Sequence, residues 1–435
     1  MQNKQEMRHG MSKIIWGLGG FVVLATAAIG GNLYADKSLN SYYQQNQKTK
    51  LVSIQYENFN MGAMQGSADW TAQLSFDPCK PKDVLMLTGT DEIKRSWNGY
   101  HIESKINLQQ GNEVFQKILK QPLTAQTKID WLGVVHSSLT TPVFEKNDAD
   151  IQTRIDSMTF KMDAKSKGNQ LEILNAKLHI PNMTVSDKLG HVQMREVEFE
   201  TTQGLNSTFD EGETRLNIAS VKRTDRNVQQ FGSGEFKDFV LVMNTGMDKH
   251  TVNFDTQLNI KEVIMPEIPT FQKLQMNFNL KALNKQKVQD FFDLLEKNSE
   301  VCVAKEELSQ ELANSLLSIV NEGFTFESQN NQIKLGEGFA KASLSGKVMP
   351  GHQSSFASLV KMAPSLVEYQ ANVEYDNQIM KTLMSNYLQQ GGKTLSDQEL
   401  EQMLNGMQQA MPAKRDGDVL KIGIEYKYGE KKFLN

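Results

Sequence analysis

Cysteine is almost missing from this chain, and so are the motifs that would announce an enzyme. The two cysteines, Cys79 and Cys302, are too few for a disulfide framework and are not spaced to share a metal. In an oxidising compartment they are a candidate disulfide closing a very long loop, worth about 3–5 kcal/mol in the chain-entropy account; otherwise they are two separate thiols. Histidine is sparse: His9, His101, His136, His179, His191, His250 and His352 show no HxH, HxxxH or HExxH spacing that would put two ring nitrogens on one ion. No GxxxxGK[ST] loop exists to cradle a nucleotide's phosphates. Gly232-Ser233-Gly234 lacks the leading Gly-x of a nucleophile elbow and precedes a strand pattern, so it reads as a turn. Catalytic residues, cofactors and metal ligands are therefore all read as none.

Excess charge of one sign is lacking as well. Lys and Arg number 47 against 51 Asp and Glu, a net charge of −4 that excludes a broad nucleic-acid-binding surface. With 39% hydrophobic residues the chain is not intrinsically disordered. Its 10 prolines form no Pro-rich linker that would cut it cleanly into domains.

One long uncharged run is present, and it lies near the start. From Ile14 to Ala35 no side chain is charged. About 20 apolar residues suffice to carry a helix across a bilayer, so the run reads as a transmembrane anchor, with Trp16 and Tyr34 near its two interfaces. Ala25-Thr26-Ala27 gives the rival reading, a signal peptidase site whose use would release a soluble protein. Positive charge does not orient the span, because Lys4, Arg8 and Lys13 precede it while Lys37, Lys48 and Lys50 follow. Ala27 and Gly31 form a small-xxx-small pair, a weak pointer to a homodimer.

After a polar connector over 36–50 the hydrophobic pattern takes the period of a β-strand. Trp70, Ala72, Leu74 and Phe76 alternate strictly with polar residues, which puts all four on one face. Val52, Ile54 and Tyr56 alternate too, then Phe59 and Met61 continue out of phase, predicting a bulge between them. Asn98-Gly99, set before Tyr100, Ile102, Ile106 and Leu108, predicts a hairpin. Val252, Phe254, Leu258 and Ile260 alternate over nine residues, as do Leu274, Met276, Phe278, Leu280 and Ala282, with largely polar residues between them. Such one-sided strands argue for a large antiparallel sheet and against a doubly wound α/β enzyme. Glu196, Glu198 and Glu200 share one strand face, where the bland reading is a solvated surface and the sharper one a cation or glycosidase site.

Helical period sets in after residue 284. Val288, Phe291, Phe292 and Leu295 form one apolar stripe; Leu308, Leu312, Leu316, Ile319 and Val320 form another before Gly323. A short helix is predicted over Phe356 to Met362 before Pro364, and Ile379, Leu383, Met384 and Tyr387 make a further stripe. Ser396 with Glu399 predicts a capping box. Leu420, Ile422, Ile424, Tyr426 and Tyr428 alternate in a last strand.

The order of these features, with IIWGLGGFVVLATAAIGGNLYA at the start, the strand block from Leu171 to Met265, and Asp416-Gly417-Asp418 leading into a tail that ends at Asn435, resembles the YdgA-like family of Gram-negative envelope proteins. That family's usual ending, a Gly, an apolar residue and Asn-Gly, is only approximated by Gly429 to Asn435. The resemblance implies an inner-membrane anchor with the bulk of the chain in the periplasm, and it supplies no catalytic residue.

The expected fold is α+β and β-dominated: a large curved antiparallel sheet or sandwich, helices mainly in the C-terminal third, and one transmembrane helix in front. The expected divisions are a tail over 1–13, an anchor over 14–35, a connector over 36–50, a β region over 51–283 and a mixed region over 284–435. The expected function is non-enzymatic: a lipid or acyl chain held on an apolar sheet face made of Trp70, Leu74, Phe76, Val252, Phe254, Leu258, Ile260, Leu274, Met276, Phe278 and Leu280. The alternative is a structural or interaction module of the envelope, as a homodimer or with an envelope protein as partner; an envelope enzyme with no nominated active site stands third.

Overall fold

The computed structural model describes residues 43, 47–48, 52–75, 84–111, 121–147, 151–167, 170–202, 211–225, 233–265, 268–300, 305–390, 396, 398–399, 401–403, 406 and 413–434. Strands dominate, and every pairing given below is antiparallel. Among the described residues the chain divides into two compact units, one within Met1–Asp187, Glu196–Asp210 and Glu296–Val303, the other within Lys188–Arg195, Glu211–Leu295 and Ala304–Asn435. The division falls inside the run of strands and not at residue 284, where the helical period begins. No described helix is long and apolar enough to cross a membrane. The segment from Ile14 to Ala35 lies outside the described residues, as do Phe76, Cys79 and Cys302.

The first unit is a meander. β1 (Gln47–Lys48) pairs with β2 (Val52–Met61), which pairs with β3 (Gln65–Ser75), and the order continues through β4 (Val84–Ser96), β5 (Gly99–Gln110), β6 (Leu123–Asp130) and β7 (Val134–Thr140). β8 (Phe144–Asn147) follows, and β9 (Ile151–Ile155) pairs with it; β10 (Thr159–Lys167) then pairs back to β7. β11 (Gln170–Asp187) lies along both β10 and β9. The expected bulge is present in β2, where the register shifts between Glu57 and Asn60 and Asn58 takes φ +52°. The expected hairpin is present as well, with Ser96 opposite Gly99. Gly99 adopts φ +133°, and a Cβ there would fall on the Ile129 carbonyl oxygen, so no other residue fits.

Alternation along these strands sends one face into a continuous core that runs from Ile54 through Leu74, Leu87, Ile106, Ile129 and Leu139 to Ala164 and Ala176. Tyr43 belongs to this core: it is buried, stacks on Phe59 at 4.7 Å and meets Tyr56 edge-on.

β12 (Gly190–Thr201) precedes the second unit's main sheet. That sheet runs in order through β13 (Gly212–Asp225), β14 (Gly234–Met247), β15 (Thr251–Met265), β16 (Ile268–Asn284), β17 (Phe324–Leu335), β18 (Gly338–Val348), β19 (Val367–Asp376) and β21 (Val419–Lys427). β20 (Lys414–Asp416) and β22 (Glu430–Leu434) share the far edge of β21.

The two helices expected after residue 284 are α1 (Lys285–Glu300) and α2 (Lys305–Glu322), and Gly323 stops the second with φ +78°. α3 (Phe356–Leu366) opens on a capping box of Ser355 and Ser358. It continues through Pro364 to Leu366, four residues beyond the expected end at Met362; the proline forfeits only the one bond that an N–H there would give to the Val360 carbonyl, and the Val367 N–H still donates to the Ala363 carbonyl. α4 (Asn377–Gln390) carries the Ile379 stripe. The last expected strand divides: Tyr428 and Gly429, at φ +53° and +81°, make the turn between β21 and β22, leaving Tyr428 80% exposed. Positive φ at both central residues is the hairpin turn that matches strand twist. Ser396 and Glu399 make the expected reciprocal cap, the Ser396 backbone N–H donating to the Glu399 carboxylate at 2.9 Å.

Candidate functional site

The candidate apolar face falls on both units, and its members have different fates. Trp70 and Leu74 are 3% and 1% exposed in the first unit's core, closed to any ligand. The indole lies across Gly89 of β4, where an added Cβ would sit 2.2 Å from the ring. Its Nε1–H donates to Asp91 Oδ1 at 2.8 Å, while the Tyr43 hydroxyl donates to Asp91 Oδ2, also at 2.8 Å. Asp91 is 1% exposed, and burial pushes its carboxyl above the ordinary carboxylate range. The facing hydroxyl of Ser104 and the two donors work against that shift without reversing it. This is a buried polar knot inside an apolar core.

The candidates from Val252 to Leu280 lie together on the second unit, and register makes them one surface. Phe239, Ile260 and Leu274 stand side by side across β14, β15 and β16. The next rungs are Leu241, Leu258 and Met276; then Met243, Thr256 and Phe278; then Thr245, Phe254 and Leu280. Further rungs add Phe236, Val263 and Phe271 at one end, with Met247, Val252 and Leu283 at the other. Leu216 and Ile218 of β13 extend the face past β14. Rungs recur every second residue, about 6.6 Å apart, so the face is roughly 30 Å long.

Helices cover part of it. α2 lies against β16, and α4 lies against β16 through β19. Gly338, opposite Leu335 on the apolar side, lets α4 come so close that a Cβ there would meet the Ile379 backbone at 2.4 Å. Asp376 fixes that approach: one carboxylate oxygen accepts from Ile379 N–H and the other from Phe339 N–H, both at 2.9 Å. Beyond this cover Met276 and Phe278, neighbours along β16, stay 51% and 45% exposed; Met243, across Thr256 from Phe278, is 45% exposed and Phe236 42%. Val252 and Ile260 are buried; Phe254, Leu258, Leu274 and Leu280 are half-buried.

The opposite face is polar and partly ion-paired. Lys237 Nζ meets Glu262 at 2.6 Å and Lys281 Nζ meets Glu327 at 2.7 Å, and each hydrogen bond raises its lysine's pKa. A cavity of about 600 Å³ opens on this polar face, over β16 to β22, and not on the apolar one. Sequence reasoning missed it, because an in-register row of Gln, Lys and Glu from six strands is invisible until the pairing is known.

Other candidate chemistry is dispersed. Glu196 and Glu198 face side chains of β11, His179 at 2.7 Å and Lys177 at 3.7 Å, and φ +48° at Glu196 breaks the row of carboxylates. Among the described residues no three His, Cys, Asp or Glu side chains are grouped as metal ligands. The Ser233 hydroxyl accepts from Asp225 N–H at 3.2 Å.

A bacterial family, "Bacterial protein of unknown function (DUF945)", matches residues 101–435. No curated protein and no solved structure matches the chain.

Proposed function

We propose, from the premise that the chain belongs to DUF945, a family of bacterial proteins of unknown function, that it is a non-enzymatic envelope protein holding a lipid's acyl chain on the apolar face of its second unit. In this reading the chain is a YdgA-like protein of the inner membrane, tethered by Ile14 to Ala35, with its bulk in the periplasm and with no cofactor.

The observation that carries the reading is the exposure of Met276 and Phe278, with Met243 across Thr256 from them, in the middle of a largely apolar sheet face. Contiguous exposed apolar surface marks an interaction site, and two flexible thioethers beside a ring suit a ligand of variable shape. The face, at roughly 30 Å, matches the thickness of a bilayer's hydrocarbon core and leaves ample length for one acyl chain.

Photoreactive palmitate tests it on the full-length protein in its native membranes, with labelled peptides mapped by mass spectrometry. Label is expected in peptides from β14, β15 and β16. Met276→Lys with Phe278→Lys should reduce it roughly tenfold, since burying either side chain contributes about 1.5–3 kcal/mol. Both residues are exposed, so the double variant keeps its fold. Label confined to Ile14–Ala35, or unchanged in the double variant, would sink the reading.

A further inference from the structure

The cavity on the polar face of the second unit has a lining that the acyl-chain reading does not use. Its floor is one in-register row across six strands: Gln275, Gln332, Lys341, Glu374, Lys421 and Lys414. A second row, two residues further along, sets Ser343 beside Asn372 and Gly423, with Leu434 opposite the glycine. Period-two alternation puts these side chains on the face opposite Ile333, Ala340 and Tyr375.

Gly423 keeps the floor low. A Cβ there would meet Leu434 Cβ at 2.9 Å and Asn372 Oδ1 at 3.3 Å, so the space above that rung cannot be taken by a side chain. A bulge in β17 brings in one more amide. Asn330 takes φ +59° where the register shifts between Ser328 and Asn331. The polar groups the bulge frees are bonded locally: Asn277 N–H donates to Asn331 Oδ1 at 2.8 Å, and Ser328 Oγ donates to the Asn277 carbonyl at 2.6 Å. Asn330 is thereby held at the cavity wall.

The chemistry of the lining selects its ligand. Three lining ammonium groups, Lys341, Lys414 and Lys421, outnumber the lining carboxylate of Glu374 and the Asp416 carboxylate that pairs with Lys421, so the cavity keeps a net positive charge in a protein whose total charge is −4. Lys421 also bonds to Asp416 at 3.0 Å, and Lys341 lies over the Phe339 ring at 4.8 Å, so these ammonium groups are held in place. Side-chain amides and a hydroxyl both donate and accept, which is what sugar hydroxyls require of a partner. None of the described lining residues is aromatic, so they offer no platform for stacking a nucleobase or the flat face of a neutral sugar. Its volume, about 600 Å³, is within the range of small-molecule sites.

We infer that this cavity binds an anionic saccharide, the lysines taking its carboxylate or phosphate and the amide row its hydroxyls. The inference does not depend on the acyl-chain reading, since it concerns the other face of the sheet and other residues.

Titration calorimetry on the full-length protein tests it, in a polyoxyethylene detergent that carries no sugar headgroup. Glucuronate, glucose 6-phosphate, glucose and inorganic phosphate are the probes. Saturable binding of the two charged sugars is expected, weakened by salt, with glucose and inorganic phosphate each at least about tenfold weaker, a difference of ~1.4 kcal/mol. Lys341→Gln with Lys414→Gln, both at exposed positions, should weaken the charged sugars roughly tenfold. Glu374→Gln should tighten them by removing a repelling carboxylate from the cavity floor, a gain that no folding defect can mimic. Phosphate binding as well as glucose 6-phosphate, glucose binding as well as glucuronate, or an unchanged affinity in the lysine double variant would overturn the inference.

Discussion

Replacing Asp91 by asparagine probes the first unit's core and has a pH signature of its own. The carboxyl accepts two buried hydrogen bonds, from Trp70 Nε1–H and the Tyr43 hydroxyl, one on each oxygen. An amide of the same shape keeps one acceptor and turns an NH₂ group toward the other donor. One hydrogen bond is lost and two donors face each other without an acceptor, at a cost of about 1–3 kcal/mol. For a unit of this size that corresponds to roughly 2–4 °C in Tm per kcal/mol.

The sign of the pH dependence follows from burial, which raises the folded carboxyl's pKa above its ordinary value of 3.8. Between 3.8 and the raised folded value, the native state holds a proton that the unfolded state has released. Stability contributed by Asp91 is therefore fully present below 3.8 and falls as pH rises through the folded pKa. The amide introduced by Asp91→Asn cannot titrate, so the penalty of the substitution should be largest in acid and shrink as pH rises. Urea unfolding followed by tryptophan fluorescence across that range measures both quantities. A penalty that grows with pH would mean that the native state prefers the ionised carboxylate, and the reasoning would fail.

Other perturbations follow from single contacts. Gly89→Ala should cost about 1–3 kcal/mol by driving a methyl into the Trp70 ring, seen as a lower urea midpoint with a changed tryptophan spectrum. Asp248 accepts from His250 N–H, Thr251 N–H and the Thr251 hydroxyl, and the Thr251 backbone bond above all, then that of His250, lowers its pKa to about 2. Its stabilisation of the β14–β15 turn is present above 3.8 and is lost as pH falls through about 2, so Asp248→Asn should flatten the acid limb of the stability profile measured by urea unfolding. Ile379→Ala should cost about 2–5 kcal/mol, loosen α4 from the sheet, and raise labelling of β16 to β19 by photoreactive palmitate; unchanged labelling would mean that α4 does not restrict access.

Much of the local architecture was legible because period and turn chemistry act over a few residues. The Phe59 phase slip announced the bulge at Asn58, Asn98-Gly99 announced the hairpin, and Ser396 with Glu399 announced a cap. Features set by tertiary packing were not legible. Nothing local distinguishes Trp70, which is core, from Phe278, which is half open: both alternate perfectly, and only the partner across the sheet decides. Pro364 looked like a stop because its neighbours' hydrogen bonds could not be counted from sequence. The amide and lysine row from Gln275 to Lys421 is scattered along the chain, and pairing alone brings it together.

The two units solve the same problem differently, and the difference decides where a ligand can sit. A strand with one apolar face must hide it by folding the sheet over or by laying something across it. In the first unit the inner face is buried strand after strand. It also tolerates Asp91, Thr127 and Ser137, because Asp91 has its donors and the two hydroxyls bond each other at 3.0 Å. In the second unit the cover comes from α2 and α4, which enter the chain after β16 and after β19. They are consequently held near the strands they connect: α2 by its short link to β17, and α4 by the Asp376 cap. The strands β13 to β15 precede every described helix of this unit and lie outside the main α4 contacts, so the outer part of the apolar face, around Met243, is left open by connectivity alone. Such an opening is built into the topology and does not require a conformational change to appear, which is the property a site for an insoluble acyl chain needs.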